Sequence, residues 1–213
     1  MDYTQLRGIR LSKLRALRPI LERWLYLNAS IGSHWARYYD DCPWWYNERA
    51  TLSFLAGAVW RAGGWAFEEF TAGKQAATTR SKPSVRTGRC DINFGVGDSE
   101  YVGEAKQCWP LLGTSANPSR EVVSSLEAAE RDARQLTEMG LPCLGIAFAS
   151  PRLHVKKRAQ IRHELATFAR SVGLIRDATI AWVFPLAAHD LMPENLNKQY
   201  IYPGVMIVVR RAA

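Results

Sequence analysis

The sequence predicts an α/β protein built on a mixed central sheet flanked by helices. Apolar periodicity between residues 47 and 149 runs helix, three strands, helix, strand, the alternation that a layered α/β core requires. The composition agrees: 213 residues, 47% hydrophobic and 23% charged, with eight Trp and eight Tyr, supply the apolar material of one folded domain rather than of a disordered chain.

Each element has its own signal. In residues 4–27, Leu6, Ile9, Leu14, Leu17, Leu21 and Trp24 recur at helical spacing, with Pro19 expected to kink or split the helix. The basic residues Arg7, Arg10, Lys13, Arg15 and Arg18 come there without an intervening acid. Residues 28–46 read as a packed connection ending in Trp44-Trp45-Tyr46, aromatics that suit either core packing or base stacking. The expected division is an N-terminal helical extension over 1–46 and a domain over 47–213, with its core at 47–149. Asn47 can cap a helix running to about residue 61, before Gly63-Gly64. Strands follow at 65–70, 89–96 and 101–109, the last two joined by a Gly97-Asp98 turn. Residues 71–88 read as a loop, whose bases Lys74, Arg80, Lys82 and Arg86, with Arg89 just beyond, form a candidate phosphate-tracking surface. A helix over 119–139 carries the stripe Val122, Leu126, Ala129, Ala133 and Leu136 and ends at Gly140. A buried strand over 142–149, a helix over 155–171, and C-terminal strands over 179–184 and 204–210 complete the chain. A second basic group, Arg152, His154, Lys156, Lys157, Arg158 and Arg162, opens the helix over 155–171.

Charge and composition narrow the function classes. The net charge of +8 favours polyanions. No stretch reaches the uninterrupted apolar length of a membrane span, and the first residues lack the apolar core of a secretory signal. The four cysteines show no paired spacing, which speaks against a disulfide scaffold or structural zinc and for a reducing, cytoplasmic setting. His and Cys do not cluster, so a bound metal would be a hard cation held by oxygen. Gly95-x-Gly97 is not followed by a helix and reads as a turn rather than a nucleotide fingerprint.

The chemistry centres on the second and third strands. Glu104 and Lys106 are two apart and share a face, about 7 Å along the strand. Ile92, Phe94 and Val96 take one face of the preceding strand, and Asp91 and Asn93 the other; alternation puts Cys90 with Ile92 and Cys108 with Glu104. A two-residue Gly97-Asp98 turn pairs Val96 with Ser99, and counting back sets Asp91 opposite Glu104, with Cβ atoms about 5 Å apart. Two carboxylates at that distance call for a proton or a cation between them, and Mg²⁺ or Mn²⁺ suits an oxygen-lined site. Glu48 lies on the apolar stripe of its helix with Leu52, Leu55 and Val59; it could serve the helix dipole or face the same site. Lys106 beside two acids could instead be a plain cross-strand salt bridge.

Asp91 followed by Glu104-Ala105-Lys106, inside helix–strand–strand–strand–helix–strand, resembles the PD-(D/E)xK nuclease superfamily, whose core is restriction-endonuclease-like. The resemblance spans about residues 47–149, and Cys90 stands where the family's nominal Pro would be. It implies that Asp91 and Glu104, with the Ala105 carbonyl, hold Mg²⁺ or Mn²⁺. It further implies that Lys106 serves the attacking water and the phosphate, and that Glu48 completes the catalytic set. The implied function is metal-dependent hydrolysis of nucleic acid phosphodiesters, DNA being favoured over RNA. The alternatives are a catalytically silent nucleic-acid- or protein-binding module of the same fold, or a partner-dependent nuclease subunit or effector in a defence or mobile-element system. The leucine-rich N-terminal helix would then be the face for a protein partner or for a second copy.

Overall fold

The computed structural model describes residues 6–75, 85–115, 117–190 and 199–212. The strands are β1 (Arg7–Arg10), β2 (Trp65–Gln75), β3 (Val85–Val96), β4 (Ser99–Cys108), β5 (Leu111–Leu112), β6 (Cys143–Ala149), β7 (Arg152–His154), β8 (Thr179–Val183), β9 (Tyr200–Ile201) and β10 (Val205–Arg211). The helices are α1 (Arg18–Tyr38), α2 (Glu48–Arg61), α3 (Ser119–Ala133) and α4 (Ile161–Val172). Seven strands form one sheet in the order β1-β8-β10-β6-β4-β3-β2, and β5-β7-β9 form a second, three-stranded one. Within the large sheet the β4–β6 pair is parallel and its other pairs are antiparallel. The protein is therefore α/β with a mixed sheet.

Helices cover both faces. Leu144, Ile146 and Phe148 of β6 pack with Ile207 and Val209 of β10 against Leu21 and Trp24 of α1 and Leu52 and Leu55 of α2. The alternate residues Ala147 and Ala149, with Met206 and Val208, pack against Leu126 of α3 and Leu165 and Phe168 of α4. Burial on both sides is why β6 reads as an apolar run rather than an alternating one. The stripe expected over 119–139 is fully buried, but the helix is shorter than expected: Val122, Leu126, Ala129 and Ala133 lie on α3, and Leu136 lies on the 3₁₀ turn Arg134–Met139 that follows it.

Several boundaries differ from the sequence reading. Residues 7–10 form an edge strand rather than helix, paired antiparallel with β8 from Arg7↔Val183 to Arg10↔Ile180. The ladder supplies backbone partners that outweigh the helical spacing of the flanking leucines. Pro19 sits in the first turn of α1, where a missing N–H costs nothing, so it starts the helix instead of kinking it. The helix then runs on through residues expected as a connection. The described part of the expected N-terminal helical extension, residues 6–46, thus contributes a strand as well as a helix to the shared core. Both ends of the loop expected over 71–88 are strand instead, because β2 continues to Gln75 and β3 begins at Val85; residues 76–84 lie outside the described ones. The helix expected over 155–171 opens as a 3₁₀ turn, Val155–Gln160, before α4.

Candidate functional site

The site forms where β3 and β4 part. Asn47 Oδ1 accepts from Ala50 N at 3.0 Å and starts α2 with Glu48 as its first residue. The β3–β4 hairpin has the anticipated two-residue turn, Val96 pairing with Ser99 and Gly97 at φ +55°. Pairing runs back to Ile92↔Gly103 and stops there. Beyond that point β3 pairs only with β2, and β4 only with β6. Asp91 belongs to neither ladder: on its other side the pairs Glu68↔Ile92 and Phe70↔Cys90 leave out Glu69, whose φ is +52°.

Asp91 closes the fork with its side chain. Its Oδ2 accepts from Ala105 N at 2.7 Å, replacing the backbone acceptor that β3 no longer offers. The N–H and C=O of a strand residue leave on the same side, so the Ala105 carbonyl faces the fork as well. Glu104, one residue back, is 3% exposed. Burial pushes its carboxyl up to about 7; the Asp91 charge adds to this, while Lys74 and Lys106 oppose it.

Lys74 reaches Glu104 from β2 and forms an ion pair with it, its Nζ 2.7 Å from Oε1. Gly88 makes room for this: a Cβ there would stand 2.7 Å from Lys74 Cδ and 2.8 Å from Cγ. Lys106 Nζ is 2.9 Å from Asp132 Oδ2 on α3. Burial lowers the basicity of Lys106, but Asp132, Glu48 and Asp91 outweigh it and hold the ammonium above its ordinary value. Glu48 is half-buried; burial raises its carboxyl and the nearby Asp91 and Asp132 charges add to this, while Lys106 opposes. A polar network fixes this corner. Thr51 Oγ1 donates to Gln107 Oε1 at 2.9 Å, and Gln107 Nε2 donates to the Trp44 carbonyl at 2.8 Å.

The structure thus brings Glu48, Asp91, Glu104, Ala105 and Lys106 into one neighbourhood. Asp132 and the inward role of Lys74 had no signal in the sequence: the first lies in the amphipathic pattern of α3, the second in an apparent loop. Two of the basic-loop residues are engaged within the chain. Lys74 turns inward, and Arg89 pairs with Glu69 at 2.6 Å. Arg80 and Lys82 lie outside the described residues, as does the side chain of Arg86. Cys90 is buried but packs with Ala72, Val102 and Leu136 rather than with Ile92 and Phe94. The break in pairing at Asp91 resets the alternation. Trp44 is fully buried, whereas Tyr46 is 42% exposed.

The donor set around the fork is hard: two carboxylates and a backbone carbonyl, the chemistry that suits Mg²⁺ or Mn²⁺. Among the described residues no three His, Cys, Asp or Glu side chains converge closely enough to hold a metal by themselves. The Lys74 ammonium sits where a cation would meet Glu104. Among them, too, no helix is long and apolar enough to cross a membrane. Comparisons with protein-family models, curated proteins and solved structures return no match.

Proposed function

We propose that this protein is a metal-dependent nuclease with a restriction-endonuclease-like core, acting on nucleic acid and on DNA in preference to RNA. The observation that carries the reading is the β3–β4 fork. Asp91, Glu104 and the Ala105 carbonyl present hard oxygen there, with Lys106 and Glu48 beside them.

Asp91, Glu104 and the Ala105 carbonyl would hold Mg²⁺ or Mn²⁺. When bound, the ion supplies Lewis-acid polarisation of the phosphoryl oxygen and charge relief at the transition state. The rest falls to the chain. Lys106, clamped by Asp132 and held above its ordinary value, stays protonated near neutral pH. It therefore serves as a fixed positive charge on the phosphate rather than as a base. Glu48, raised by burial, is the better candidate to accept a proton from the attacking water. The Thr51–Gln107–Trp44 network holds the start of α2, and Glu48 with it, against β4.

The test is cleavage of supercoiled plasmid, linear duplex, single strand, branched DNA and structured RNA, with Mg²⁺, Mn²⁺ or EDTA, by wild type and Lys106→Ala. Metal-dependent cutting that drops by about 10²–10³-fold in Lys106→Ala is expected. Equal cutting by both proteins refutes the assignment. The Lys74–Glu104 ion pair favours a second reading, a silent binding module whose cation place is filled by its own lysine. Absence of both cleavage and Mn²⁺ binding by calorimetry selects that reading.

A further inference from the structure

We infer that the aromatic pocket next to the fork is a stacking subsite for an unpaired nucleobase, so that the substrate carries single-stranded nucleotides close to the position of chemistry. The inference deepens the nuclease reading and rests on it for the nature of the ligand.

The pocket, about 330 Å³, is lined by Trp45, Tyr46, Trp109, Glu121, Arg152 and Tyr202. Trp45 and Tyr46 stack on each other with ring centroids 4.4 Å apart at 27°, and Tyr46 remains 42% exposed. The wall is built rather than incidental. Trp109 Nε1 donates to the Trp45 carbonyl at 3.1 Å, Trp109 N donates to Glu121 Oε1 at 3.0 Å, and Arg152 Nε donates to the Trp109 carbonyl at 3.1 Å. Asp41 braces the other side, accepting from Trp45 Nε1 at 2.5 Å and from the Tyr46 hydroxyl. Fixed rings with a guanidinium and a carboxylate on the rim offer a flat π surface plus a donor and an acceptor. A nucleobase presents the same combination in complement. The net charge of +8 favours a polyanionic ligand over a neutral one.

Position links the pocket to the chemistry. Tyr46 precedes Glu48 by two residues and Trp109 follows Lys106 by three. At about 3.4 Å per extended residue, Trp109, just past the end of β4, lies about 10 Å along the chain from Lys106. A nucleic acid strand covers that span in about three nucleotides or fewer. Inside a duplex both faces of a base are already stacked, so away from duplex ends these rings engage a base that is unpaired.

The test reads binding without turnover. Full-length protein in EDTA is titrated into fluorescently labelled oligothymidylate and oligouridylate of about ten nucleotides and into a blunt duplex of equal length, with anisotropy as readout. The variants are Tyr46→Ala, Tyr46→Leu, which keeps apolar bulk without a ring, and Tyr46→Phe, which keeps the ring; circular dichroism melts check folding. Wild type is expected to prefer the single strands. Tyr46→Ala and Tyr46→Leu should weaken single-strand binding by about 5- to 150-fold, leaving the weaker duplex binding unmoved, while Tyr46→Phe stays near wild type. The thymidylate and uridylate arms separate DNA from RNA. Single-strand binding that is no tighter than duplex binding, or that is untouched in folded Tyr46→Ala and Tyr46→Leu, overturns the inference. Because no metal or cleavage enters this assay, its outcome is separate from that of the nuclease test.

Discussion

Replacing Glu104 by Gln in metal-free protein keeps the side-chain shape but removes one ionisation, and with it the anion that faces Lys74; the latter is a pH-independent offset below the Lys74 titration, so the informative quantity is how the difference changes with pH. Glu104 is buried, and its carboxyl is raised from an ordinary 4.5 to about 7. An acid raised on folding binds its proton more tightly in the native state. Its contribution to stability is therefore fully present below about pH 4.5 and is lost as pH rises through about 7. The gap corresponds to about 3 kcal/mol, or about 6–12 °C in Tm for a domain of this size. Glu104→Gln has no such loss. Its stability relative to wild type should thus climb by about 3 kcal/mol between pH 4.5 and pH 8, then level off. Urea denaturation of both proteins in EDTA across that range measures it. A difference that stays flat with pH refutes the view that the fork holds an ionisable carboxylate against its own burial.

Three further outcomes follow from named contacts. Gly88→Val should push the Lys74 stem away from Glu104 and tighten Mn²⁺ binding by about tenfold or more, read by calorimetry; unchanged affinity means that Lys74 does not compete for the site. Glu130, 6% exposed, receives Nε and Nη2 of Arg210, the latter at 2.8 Å. Glu130→Ala should cost about 3 kcal/mol by stranding that guanidinium, and Glu130→Leu with Arg210→Met should recover most of it; urea denaturation midpoints decide. Asn47→Ala removes the α2 cap and should lower stability by about 1 kcal/mol, seen as a Tm fall of about 2–4 °C; no shift would mean that α2 is held by packing alone.

The features legible in the sequence were local ones. Gly97-Asp98 marks a two-residue turn, and such a turn sets strand register by itself; Val96↔Ser99 and the approach of Asp91 to β4 follow from it. The Asn47 cap, the buried stripe of α3 and the apolar run of β6 were equally readable, because capping chemistry and periodicity act within one or two turns of chain. The mixed α/β class follows from their order.

The remaining features depend on partners distant in the chain. Whether Arg7–Arg10 is helix or strand is decided by the edge of β8, which is far away in sequence. Alternation along β3 holds only while its ladders hold, so Cys90 changed sides where pairing lapses at Asp91 and Glu69. Lys74 looked like one of several loop bases; the extension of β2 and the bare backbone at Gly88 turn it onto Glu104. Asp132 became the clamp on Lys106 only because α3 crosses β4 at that residue. The sequence by itself determined the elements, the hairpin register and the residues able to do chemistry, since these are written in short-range sterics and period. The tertiary structure alone decided which charges face one another, because burial and proximity across elements carry no local pattern.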